Sequence, residues 1–132
     1  MQMKTPLFQM NLVLGWIWLV LGFASGFVQG LFFQREEWLG GYGSFKRRMY
    51  RLAHISFFGL GTVNVLFHFT VQSLVSTPAL HGASWAFGLG AVTMPICCVL
   101  MANHPKARLL FGIPVFSLLA GGILTVWQLL HL

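Results

Sequence analysis

Apolar and polar positions divide the chain into four long apolar stretches, at about 11–33, 49–77, 82–103 and 109–130, separated by short polar or proline-bearing breaks. Each stretch exceeds the roughly 20 residues that a helix rising ~1.5 Å per residue needs to cross the hydrocarbon of a bilayer. The breaks around Ser76 to Gly82 and Asn103 to Arg108 are short enough to make the stretches they join antiparallel neighbours. The pattern predicts an all-α protein, an integral membrane four-helix up-and-down bundle, with residues 1–132 as one domain. The first stretch is longer than the apolar part of a signal peptide and ends without a small-residue cleavage signature, so it reads as a retained helix.

Composition agrees with the pattern. Only 8% of the 132 residues are charged and the mean hydropathy is +0.77, too little polar surface to cover a water-soluble globule. The net charge of +6 does not point to nucleic acid, because the basic residues cluster at helix ends, where they set orientation. Lys4 is alone on the N-terminal side, whereas Arg35, Lys46, Arg47, Arg48, Arg51, Lys106 and Arg108 lie in or beside the first and third loops. This bias predicts an inner membrane of bacterial type, with those loops in the cytoplasm and both termini outside it. The only acids, Glu36 and Glu37, share one loop, which excludes a Ser-His-Asp set and a carboxylate relay within the spans.

Gly22, Gly26 and Gly30 form a small-residue run on the first helix, the kind of face that lets another helix approach the backbone. Trp16, Trp18, Trp38 and Trp127 are candidate interface markers. Loop one, residues 34–48, reads as a flexible glycine-bearing turn leading into a basic helix entry, Lys46-Arg47-Arg48. Pro95 and Pro114 fall inside the third and fourth helices and free carbonyls that the interior must satisfy. Adjacent Cys97 and Cys98 point about 100° apart on a helix, which disfavours a disulfide between them.

The second stretch carries the main clue to chemistry. His54, Phe58, Gly61, Val65, His68 and Gln72 form one stripe, with Asn64 on its flank. The two imidazoles stand ~21 Å apart along the helix with a glycine midway, room on this reading for a flat ring. The pattern His54-x6-Gly61-x6-His68 resembles the haem-bearing helices of cytochrome b from quinol-oxidising complexes, where two histidines on one helix serve two stacked haems. The resemblance covers one helix, and no second helix of this chain repeats the pair. It implies b-type haem, electron transfer and a nearby quinone.

Depth matching brings His104, at the end of the third helix, level with His54. These two are therefore the expected axial ligands of one haem iron, with Arg51, Arg48 or Arg108 available to its propionates. His68 is a candidate for a second haem. Two other readings stand beside this one. Met94, Cys98 and Met101 make a soft-ligand stripe suited to Cu(I). Alternatively the chain is a cofactor-free accessory subunit, packed by its 13 Phe residues against lipid and the other subunits of a larger membrane complex.

Overall fold

The computed structural model describes residues 6–132, and Lys4, counted above toward the charge bias, lies outside them. Four helices follow in order: α1 (Pro6–Phe32), α2 (Phe45–Val71), α3 (Pro78–Asn103) and α4 (Gly112–Leu130). Short 3-10 helices occupy Trp38–Gly40 and Pro105–Phe111. Each of the four long elements, α4 together with the 3-10 turn before it, is long and apolar enough to cross a membrane.

Helix boundaries differ from the apolar stretches because capping chemistry, not hydropathy, sets them. Ser44 caps α2 by accepting from the Arg47 N–H, which starts the helix four residues before the apolar run. Thr77 caps α3 through the Leu80 N–H, and Pro78 occupies the first helical position, where a missing N–H costs nothing. Residues 72–77, assigned by hydropathy to the second span, form the connection. The last stretch opens with a 3-10 segment led by Pro105, so α4 proper is shorter than 109–130.

The arrangement is up and down but not an evenly closed bundle. α2 packs between α1 and α3, α1 also touches α3, and α4 packs on α3. The buried apolar cluster accordingly joins Phe8 of α1, Phe67 and Val71 of α2, and Leu80, Ala83 and Phe87 of α3. α4 is held by small-against-large contacts: Leu118 fills the space over Gly90, and Phe87 fills the space over Gly121. Its outer residues, including Phe116 and Ile123, are exposed.

Both prolines leave a carbonyl without its helical partner, and both carbonyls find a side chain. The residue four before Pro95 is Ala91, whose carbonyl accepts from the Trp18 indole N–H at 2.8 Å. The residue four before Pro114 is Leu110, whose carbonyl accepts from the Cys97 thiol at 3.4 Å. Trp18 is thus an internal tie between α1 and α3 and not an interface marker. Cys97 and Cys98 are free, buried thiols.

Loop one is a built structure and not a flexible turn. Arg47, only 1% exposed, donates to the Phe33 and Arg35 carbonyls at 2.6 and 3.2 Å. The rings of Phe33, Trp38 and Tyr42 surround its guanidinium, Tyr42 at 3.9 Å. One residue of the basic entry therefore caps the end of α1 instead of meeting solvent. Leu39 takes φ 54°, and Gly40 and Gly41 take φ 86° and 100°, which lets the chain turn tightly over this cage.

Candidate functional site

The polar stripe of α2 faces α1 along most of its length, in an antiparallel seam. Gly61 sits against Gly15, Phe58 lies over Gly22, and His54 lies over Gly26. The space beside Gly61, expected to admit a flat ligand, is filled by the α1 backbone. A Cβ there would stand 2.9 Å from the Gly15 carbonyl oxygen and 3.1 Å from Trp18 Cβ. Of the three expected packing glycines, Gly22 and Gly26 receive α2 side chains, whereas Gly30 has no atom within 4 Å of where its Cβ would be. Gly15 continues the stripe by seven residues toward the N-terminus, and that spacing was the signal available for finding it.

His68 is 4% exposed and both of its ring nitrogens are engaged. Nδ1 lies 2.7 Å from the Phe8 carbonyl, which can only accept, so Nδ1 carries the proton. Nε2 then accepts from the Gln72 side-chain amide at 2.8 Å. The ring is a strut between α1 and α2.

His54 is arranged differently. The Ser25 hydroxyl donates to the Gly22 carbonyl at 3.1 Å and accepts from His54 Nδ1 at 2.9 Å, while Phe58 meets the ring edge to face. Nε2 of His54 is left with its lone pair. Because no buried side-chain nitrogen or oxygen among the described residues lacks a partner, this atom opens to the exterior. The expected partner, His104, is an exposed residue closing α3, with its backbone N–H on the Leu100 carbonyl. The His54 imidazole is engaged by Ser25 of α1, whereas it is the backbone of His104 that closes α3. Arg51 is exposed on the second turn of α2.

A buried cluster that the sequence showed only as isolated polar residues joins three helices. Asn11, Asn64 and Ser84 are each fully buried. Asn11 Nδ2 donates to Asn64 Oδ1 at 2.7 Å and to the Ser84 carbonyl at 3.2 Å, and the Ser84 hydroxyl donates to Asn11 Oδ1. Asn64 Nδ2 donates to the Leu60 carbonyl at 2.8 Å and reaches that of Phe87 at 3.4 Å. The flank position of Asn64 thus serves neighbouring helices. Polar side chains within apolar spans were the signal for this cluster.

The soft-ligand stripe lies on α3. Cys98 is fully buried, Cys97 bonds the Leu110 carbonyl, and Met94 lines a groove between α3 and α4. Among the described residues no group of three or more His, Cys, Asp or Glu side chains converges as a metal site.

Comparison with protein-family models, with curated proteins and with solved structures gives no match to this chain. Its chemistry therefore rests on its own residues.

Proposed function

We propose that this chain is a small integral membrane subunit of a larger assembly, using its internal polar stripe to fasten its own helices and its outer apolar faces to meet lipid and neighbouring subunits. The fate of the α2 stripe carries this reading. A histidine can ligate iron only through an unprotonated ring nitrogen with a free lone pair. His68 gives that lone pair to Gln72, and the volume beside Gly61 belongs to α1. The four apolar helices support insertion, and the basic bias supports a bacterial inner membrane with loops one and three in the cytoplasm and both termini outside.

Purified from membranes in mild detergent, the chain should migrate on native gels within a larger complex, and its reduced-minus-oxidised spectrum should lack a b-type band. A single dispersed chain whose b-type band disappears in His54→Ala would sink the proposal. That result would favour the second reading, a b-haem for electron transfer near a quinone pool, ligated by His54 and His104. The observation on its side is the free Nε2 of His54, on a ring steadied by Ser25 as metal-bound imidazoles are steadied through their other nitrogen. Cu(I) binding is the third reading and rests on the spacing of Met94, Cys98 and Met101 alone.

A further inference from the structure

At the loop-one end, α1, α2 and loop one line a groove of about 540 Å³. Leu21, Val28 and Phe57 form its apolar wall, and Phe32, Trp38 and Tyr50 line it as well. This is an amphipathic surface, greasy along the helices and aromatic where loop one folds over. Trp and Tyr favour such positions at the boundary between hydrocarbon and headgroups.

The charge beside the groove is unbalanced. Seven basic residues belong to this end of the molecule, Arg35, Lys46, Arg47, Arg48, Arg51, Lys106 and Arg108, against Glu36 and Glu37. Arg47 is buried in its aromatic cage and bonded to backbone carbonyls. Arg35 is exposed, and its guanidinium stands 5.3 Å over the ring of Phe32, a residue that lines the groove. A planar cation is thus stationed where an apolar groove meets the charged boundary. The Tyr50 hydroxyl, which accepts from Asn103 at 3.4 Å, retains its own hydrogen to donate.

We propose that this groove is a binding site for one anionic phospholipid of the surrounding bilayer, with an acyl chain along Leu21, Val28 and Phe57 and the headgroup phosphate at Arg35. The site rests on the membrane reading above. Its two halves fail separately: the wall selects an apolar chain, and Arg35 selects the charge.

Native mass spectrometry of the detergent-purified full chain tests it, with phosphatidylglycerol titrated against phosphatidylcholine of identical chains. One phosphatidylglycerol should be retained in preference to phosphatidylcholine. Arg35→Ala should lower that preference roughly fivefold, the weight of one basic residue at an anionic surface. The main-chain carbonyl that Arg47 uses at residue 35 survives this substitution, so the loop should stay folded. Ala24→Phe, placed in the groove lining, should lower retention of both lipids, and Arg108→Ala, in loop three, should change neither.

Equal retention of the two lipids overturns the proposal, as does an unchanged preference in Arg35→Ala. Preferential retention of an uncharged prenyl quinone in the groove also overturns it. A chain recovered without detergent would fault the membrane reading itself, whereas a detergent-dependent chain with no anionic preference faults only this site.

Discussion

At Gly15 a methyl group would stand 2.7 Å from the Gly61 carbonyl, and at Gly61 it would stand 2.9 Å from the Gly15 carbonyl, so the two backbones of the α1–α2 seam are in direct contact. Gly61→Leu must push the helices apart or find space that close packing does not offer, at a cost of about 2 kcal/mol or more. Gly30→Leu, with nothing within 4 Å, should cost almost nothing. SDS-driven unfolding in mixed micelles, followed by circular dichroism, measures both. Equal stability of the two variants would show that the seam is not packed as described. The same scale governs Asn64, where substitution by Leu leaves Asn11 with one donor fewer satisfied and removes the bond to the Phe87 carbonyl. That substitution should cost about 1–2 kcal/mol, the range for polar bonds between membrane helices and for stranded buried groups.

Pro95 of α3 and Pro114 of α4 each open a carbonyl, and the side chains that answer them make the helices interdependent. Trp18→Phe keeps most of the ring but removes the N–H that satisfies the Ala91 carbonyl, and should destabilise the chain by about 1 kcal/mol. Pro95→Ala restores a backbone N–H four residues after Ala91, so the carbonyl then has an intrahelical donor. Trp18→Phe should therefore cost less in the Pro95→Ala background, and a double-mutant cycle by unfolding in mixed micelles measures the difference. Additive effects would mean that indole and proline act independently. Helix existence and order were legible in the sequence because hydropathy alone marks spans this apolar. The ends were not, since Ser44, Thr77 and Pro78 act through backbone geometry at single positions that a hydropathy window averages away. The orientation of the α2 stripe was legible as an inward face. Its partner was not, because a glycine at position 61 looks the same in sequence whether a ligand or another helix fills the space beside it.

At the scale of the whole molecule, three helices share a core and a fourth, the most apolar of the four spans, packs on the outside of α3. The charge distribution is asymmetric as well, and it is the feature that predicts the orientation of the chain. Loop one holds Arg35, with Lys46, Arg48 and Arg51 following in α2, and loop three holds Lys106 and Arg108, whereas residues 72–77 and 131–132 carry neither Lys nor Arg. Basic residues close to helix ends resist translocation, so loops one and three should remain in the cytoplasm. Glu37→Cys provides a reporter on an exposed residue and leaves Ser44 free to cap α2. The background should be Cys98→Ala with Cys97→Ser, because a hydroxyl at 97 keeps a donor for the Leu110 carbonyl that Pro114 leaves open. An impermeant maleimide should label this reporter only after the cells are broken open. Labelling in intact cells would reverse the orientation, move the Arg47 cage and the groove beside Arg35 to the outer leaflet, and place His68 nearer the cytoplasm than His54.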